Sequence, residues 1–107
     1  MFEPLLRRIA ASILEGLDEL PPDPRFLLAR TRLILDTPAL RARVWENNHT
    51  TQRAIAAALP DEDAFEVQVA ASACLAAATT AMTRWTEAGG RPDLRTVMAE
   101  ALEVILR

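Results

Sequence analysis

Hydrophobic residues recur every three or four positions through most of the chain, in five stretches separated by proline or by paired glycine. This spacing places them along one side of a helix. No stretch alternates between hydrophobic and polar residues, as a half-buried strand would. The pattern predicts an all-α fold, a five-helix bundle that forms one domain over residues 1–107. The predicted helices run from about Glu3 to Leu20, from Pro24, from Pro38 to about Leu59, from Asp61 to Ala88, and from Pro92 to Leu106.

The residues at the predicted helix ends favour these boundaries. Asp23 and Thr37 each precede a proline, a pairing typical of an N-cap followed by the first helical residue. Asp61 is the predicted N-cap of the fourth helix. Gly89 can adopt the left-handed conformation that often ends a helix. The short connections predict that consecutive helices are neighbours in space.

The fourth predicted helix is rich in alanine and has two apolar faces. The larger face consists of Val67, Ala71, Cys74, Leu75, Ala78, Met82 and Trp85, and the smaller of Phe65, Val69, Ala73, Ala76 and Thr80. A helix with two apolar faces needs a neighbour on each side. We expect the larger face to lie in the core and the smaller face to contact a second copy of the chain.

The third predicted helix carries polar residues on its apolar side. Asn48, Thr51 and Gln52 share an arc with Val44 and Ile55. Buried amides need hydrogen-bond partners, which a ligand can supply, whereas on a partly exposed helix water supplies them. The sequence leaves both interpretations open, and also leaves Trp45 open as a pocket wall or a core residue. The predicted ligand-binding residues are Trp45, Asn48, Thr51, Gln52, Cys74, Ala78 and Met82.

Composition and charge narrow the range of functions. The net charge is −3, the isoelectric point is near 5.1 and all twelve basic residues are arginines spread along the chain, so no basic stripe for nucleic acid is expected. No run of residues approaches the length of a membrane span, and no export signal is evident. The single cysteine fits a reducing cytoplasm. We expect a cytoplasmic protein that contacts neither membrane nor, by itself, DNA.

The candidate catalytic residues are sparse. His49 is the only histidine and falls opposite the apolar side of its helix, as a solvated surface residue would. Cys74 lies among alanines, where a free cysteine usually acts as a small hydrophobic residue. Glu62, Asp63 and Glu66 fit the first turn of a helix, where negative charge is favourable. The sequence predicts neither an enzyme nor a metal site, and no cofactor.

Three segments, in this order, carry a resemblance to a known family. They are RTRLILDTPAL at 30–40 followed by RARV, AMTRWTEAGGRPDL at 81–94, and the closing hydrophobic helix to Leu106. Together they resemble the C-terminal regulatory domain of transcription regulators of the tetracycline-repressor (TetR) family. The likeness covers nearly the whole chain. The helix-turn-helix domain by which that family reads its operator has no counterpart in these 107 residues.

The resemblance implies a four-helix dimer interface made by the last two helices of each subunit, and an inducer pocket within each subunit. The predicted interface residues are Phe65, Val69, Ala73, Ala76, Thr80, Leu94, Met98, Ala101, Leu102 and Ile105. The expected function is effector sensing and dimerisation in a bacterial TetR-like repressor, with a small, largely apolar ligand. The alternative is a stand-alone helical homodimer that acts as a protein-interaction module without a ligand pocket.

Overall fold

The structure, a computed structural model, describes residues 2–107 and contains five α-helices. They are α1 (Phe2–Gly16), α2 (Pro24–Asp36), α3 (Pro38–Ala58), α4 (Ala64–Glu87) and α5 (Leu94–Leu106). A short 3-10 turn, Leu17–Glu19, follows α1, so this helix ends at Gly16 and not at about Leu20 as predicted. No strand occurs within residues 2–107. The all-α class and the number of helices are confirmed.

Asp23 caps α2 as predicted, but α4 begins later than predicted. The carboxylate of Asp23 accepts a hydrogen bond from the Arg25 amide at 2.9 Å, and Pro24 is the first helical residue. The cap of α4 is Asp63, which accepts from the Glu66 amide at 2.9 Å. Asp61 lies instead in the turn between α3 and α4. The prediction of Asp61 as the cap is therefore wrong, because the later aspartate takes that role.

Helix α5 also begins later than predicted. Asp93 is its N-cap and accepts hydrogen bonds from the amide of Thr96 at 3.2 Å and from its hydroxyl at 3.0 Å. Pro92 therefore lies outside the helix rather than at its first position. Its carbonyl accepts a hydrogen bond from the Trp85 indole at 2.9 Å, which ties the loop to the end of α4.

The paired glycines end α4 as predicted. Gly89 and Gly90 have φ values of +74° and +70°, a left-handed conformation that side chains with a Cβ disfavour. Their amides donate to the carbonyls of Thr86 and Trp85, the two hydrogen bonds of a Schellman motif. A Cβ on Gly90 would lie only 3.2 Å from the Trp85 ring and 3.3 Å from Leu28. Gly90 is thus required by both its conformation and its surroundings.

Helix α4 lies at the centre of the bundle and contacts each of the other four helices. Its fully buried residues are Val67, Ala70, Ala71 and Cys74. These side chains pack against the buried residues of α1 and α5: Leu5, Leu6, Ile9, Ala10, Met98 and Leu102. The prediction that the larger face of α4 turns inward is confirmed at Val67, Ala71, Cys74 and Trp85.

One helix within the described residues, α4, is long and apolar enough to cross a membrane when judged by length and composition alone. This corrects the expectation that no segment approaches such a span. Only 28% of its most apolar 18-residue window is buried within the chain. The rest of the helix includes exposed apolar residues, such as Val69 and Ala76, and half-buried ones.

Candidate functional site

A cavity of about 270 Å³ lies between α2, α3 and α4 and is partly open to solvent. Most of its lining is apolar. Helix α2 contributes residues at a spacing of three or four, which places them on one side of the helix. Helix α4 contributes residues from the edge of its larger apolar face. The lining residues are Leu20, Leu27, Arg30, Thr31, Ile34, Leu35, Val44, Asn48, Leu75, Ala78, Thr79, Met82 and Thr83.

The polar groups in this cavity are partly satisfied within the protein. The Asn48 side-chain amide donates to the hydroxyl of Thr79 at 3.1 Å and so links α3 to α4. The hydroxyls of Thr31 and Thr83 donate to the backbone carbonyls of Leu27 and Thr79, at 2.8 and 3.0 Å. The two threonine bonds each lie within one helix, α2 and α4 respectively. The cavity therefore has a largely apolar surface, with polar groups at Arg30, Thr31, Asn48, Thr79 and Thr83.

A second groove, of about 260 Å³, lies on the outer side of Asn48 between α3 and α4. Trp45 borders it and is 79% exposed, so this side chain lies at the surface rather than in the core. The Gln52 side-chain amide donates to the backbone carbonyl of Gln68 at 3.2 Å across the groove. The complete lining is Trp45, Asn48, His49, Gln52, Ser72, Leu75 and Ala76.

The smaller apolar face of α4 is exposed. Phe65 is 73% exposed and Val69 42%, and both lie on the N-terminal half of the helix. Further along, α4 and α5 form the two walls of a groove of about 650 Å³. Val104 of α5, 59% exposed, lies in this groove. The groove is lined by Ala73, Ala76, Ala77, Thr80, Ala81, Arg84, Val97, Glu100, Ala101, Val104, Ile105 and Arg107.

The central helix thus has an internal cavity on one side and an exposed apolar face on the other. A family model of TetR C-terminal domains, described as the MftR C-terminal domain, matches residues 3–107. The chain belongs to this family. No curated protein and no solved structure matches it significantly. The resemblance drawn from the sequence to a TetR-family regulatory domain is confirmed.

The predicted ligand-binding residues of this TetR-type domain do not all meet in one place. Asn48, Ala78 and Met82 line the cavity, whereas Trp45 and Gln52 border the outer groove, with Asn48 between the two. Two predicted residues reach neither site. Thr51 lies in a separate groove between α1 and α3. Cys74 is fully buried against α1, with its sulfur 3.8 Å from the Leu6 carbonyl oxygen.

The sequence analysis did not identify the cavity residues contributed by α2. Leu27, Thr31 and Ile34 follow one another at spacings of four and three, which is a detectable helical stripe. That stripe indicated only that α2 packs against something, because the choice of neighbour depends on the tertiary arrangement. Arg30 is exposed and also lines the cavity, and nothing in the sequence distinguishes it from the other surface arginines.

The predicted interface residues separate into an exposed group and a buried group. On α4, Phe65, Val69, Ala76 and Thr80 are exposed and Ala73 is half-buried. On α5, Ala101 and Ile105 line the groove. Met98 and Leu102 are buried in the core of their own chain, and Leu94 lies near Trp85 at the end of the bundle. Val97 and Val104, which were not among the predicted interface residues, line the groove instead.

Two of the candidate catalytic side chains, Cys74 and His49, lie in different surroundings. Burial raises the pKa of the Cys74 thiol to about 11, because the surroundings disfavour the thiolate. His49 is exposed at the rim of the outer groove. Within residues 2–107 no group of three or more His, Cys, Asp or Glu side chains is placed to hold a metal ion. TetR-type regulatory domains are not typically enzymes.

Proposed function

We propose that this chain is the effector-sensing and dimerisation domain of a TetR-type transcription regulator. It binds a small, largely apolar molecule in the cavity between α2, α3 and α4, and it pairs with a second copy through α4 and α5. The observation that carries the proposal is the position of α4, which borders the cavity on one side and the exposed apolar groove on the other.

The lining of the cavity supports a ligand of this kind. Small-molecule sites are mostly apolar, with a few polar groups that fix orientation. Here Asn48 and Thr79 provide such groups between apolar residues of three helices. The alternative, an interaction module with a solid core, gives no reason for a cavity of about 270 Å³ at this place.

The exposed face supports self-association. Soluble monomers rarely leave a long apolar surface open to water. The face on α4 consists largely of alanine, so a second helix can approach closely, while Phe65 and Val104 provide larger apolar contacts. The groove is also bordered by charged residues of both signs, Arg84, Glu100 and Arg107. A contact between two copies of this surface would therefore contain both positive and negative side chains.

The same helix provides a route from ligand to DNA. Thr79 and Thr83 border the cavity, and Thr80 and Ala76 border the groove, so the two sites are separated by the width of α4. A ligand that prefers one position of α4 shifts the population of dimer geometries. In an intact regulator this changes the spacing of two DNA-reading domains. The present chain, with net charge −3 and dispersed arginines, does not bind DNA specifically by itself.

Replacing Ala76 by arginine tests the dimer. Ala76 is exposed on α4 between the two outer grooves, so the added charge would be buried unpaired in the proposed contact. We expect sedimentation velocity to show a dimer for the parent chain and a monomer for A76R. Ala99→Arg is the matched control, because Ala99 is exposed on α5 but does not line the groove. A monomeric parent, or an A76R variant that remains as dimeric as A99R, contradicts the proposal.

Replacing Ala78 by phenylalanine tests the cavity. Ala78 is half-buried in the lining, so the larger ring fills space that an apolar ligand would occupy. We expect the parent chain to bind 1-octanol in ligand-observed NMR and A78F to lose this binding while it still folds. If the parent binds no apolar probe and A78F melts far below the parent, the region is closely packed and no effector cavity exists there.

A further inference from the structure

We infer that the cavity selects a small molecule with an apolar body and one anionic end, of the medium-chain carboxylate class, and that Arg30 is the residue that determines this preference. The inference rests on the proposed function, since it requires that the cavity between α2, α3 and α4 binds an effector. It adds the charge of the ligand, its approximate size and the side chain that recognises it.

The lining of the cavity carries a positive charge. Arg30 is the one ionisable side chain among the residues that line the cavity in the described part of the chain, and no Asp or Glu lines it. Within residues 2–107, carboxylates lie within 4.0 Å of Arg7, Arg8, Arg25 and Arg95, but of no other arginine. The positive charge of Arg30 therefore has no carboxylate partner in this part of the protein. An anionic ligand gains from this charge, and a cationic ligand is repelled by it.

Arg30 offers hydrogen-bond donors to a ligand in the cavity. The hydroxyls of Thr31 and Thr83 donate to carbonyls of their own helices, and the Asn48 amide uses one donor on Thr79. The guanidinium of Arg30 carries five N–H donors and no acceptor. The polar end of a ligand at Arg30 must therefore accept hydrogen bonds. A carboxylate accepts only, and its two oxygens match the geometry of a guanidinium.

The remaining space in the cavity is small and largely apolar. The cavity of about 270 Å³ corresponds to the liquid volume of roughly nine water molecules, at ~30 Å³ each. This space suits a ligand of similar volume, such as an eight-carbon acid. Leucine, isoleucine, methionine and valine side chains provide most of the rest of the lining, and an alkyl chain can displace water from them. Octanoate is therefore a suitable probe.

The experiment compares octanoate with 1-octanol, its uncharged counterpart, at pH 7 and low salt. Their affinities are measured by titration calorimetry on the 107-residue chain and on three variants: Arg30→Gln, Arg30→Lys and Arg43→Gln. Arg43 is a matched control because it is exposed on α3 and does not line the cavity. Because Arg30 is exposed, we expect the parent and R43Q to bind octanoate only roughly three- to tenfold more tightly than 1-octanol, the range for one charged hydrogen bond weakened by solvent. R30Q should lose this preference, and R30K should keep part of it.

The outcomes separate this inference from the proposal on which it rests. If 1-octanol binds as tightly as octanoate, or if R30Q retains the full preference, the role of Arg30 is overturned while the effector cavity stands. If the parent binds neither probe at millimolar concentration, the cavity proposal itself fails. The loss of octanoate preference in R30Q, with 1-octanol binding and the melting temperature unchanged, supports the inference.

Discussion

At the scale of single residues, small side chains determine how this bundle closes. Ala70, Ala71 and Cys74 are fully buried on α4, and their size allows α1 to pack closely against it. At the end of α4 the absence of a side chain at Gly90 lets Leu28 and Trp85 lie close to the backbone. Each of these positions therefore requires a small residue, and a single substitution tests that requirement.

The three glycines of the chain form a graded test. Gly90→Ala places a Cβ both in a left-handed conformation and 3.2 Å from Trp85, so we expect it to lower the free energy of unfolding by about 2 kcal/mol or more. Gly89→Ala is strained by its φ but meets no atom closer than 3.8 Å, so about 1 kcal/mol is expected. Gly16 has a φ of −63° and open space around it, so Gly16→Ala should leave the free energy of unfolding unchanged or raise it slightly. Urea denaturation measures all three, and equal effects would contradict the assigned backbone conformations.

The buried thiol makes stability depend on pH in an alkaline window. The pKa of Cys74 rises from 9.0 to about 11 on folding, so the folded state holds its proton longer than the unfolded state does. Stability is then unaffected below pH 9 and falls between pH 9 and 11, by at most about 2–3 kcal/mol. The chain has no lysine or tyrosine to titrate in this window. Denaturant melts at pH 8 and pH 10.5 should show the loss in the parent and not in Cys74→Ala, and equal losses in both would contradict it.

At the scale of helices, the caps decide where each element begins. Three aspartates, Asp23, Asp63 and Asp93, accept a hydrogen bond from a backbone amide of the first turn that follows. The connection between α3 and α4 contains two aspartates, and only the second has this contact. The start of the central helix, and with it the position of Phe65 on the outer face, depends on this choice.

A pair of alanine substitutions tests the cap of α4. Asp63→Ala removes the acceptor of the Glu66 amide, and we expect a loss of about 1 kcal/mol in the free energy of unfolding. Asp61→Ala removes an exposed carboxylate from the turn and should change stability by less than about 0.5 kcal/mol. Thermal melts of the two variants show which of the two aspartates caps α4. A larger loss for D61A than for D63A would place the helix start where the sequence analysis predicted it.

The periodicity of the sequence was enough to predict the five helices and the two faces of α4, because both follow from the spacing of apolar residues along one helix. It was not enough to assign neighbours. Cys74 and Ala78 lie only ~40° apart around α4, yet one packs against α1 and the other lines the cavity. On α5, Met98 was assigned to the interface but is buried in the core of its own chain. These assignments depend on how helices are arranged in space, which the pattern of a single helix does not contain.

At the scale of the whole molecule, one helix, α4, takes part in both the proposed cavity and the proposed dimer contact. Helix α4 contacts all four other helices and still exposes an apolar face. The proposed dimer covers that face, and the proposed effector cavity lies on the other side of the same helix. A chain with only one of these features would be a rigid dimer or an isolated binding domain. Both together give a ligand a means of altering a dimer, as a regulator requires.

Native mass spectrometry of the parent chain during a titration with octanoate tests this central claim most directly, because it reports subunit number and bound ligand in the same spectrum. We expect a dimer at micromolar protein that takes up one octanoate per subunit, two per dimer, with saturation. A chain that remains monomeric at these concentrations, or a dimer that acquires no ligand at millimolar octanoate and 1-octanol alike, would contradict it.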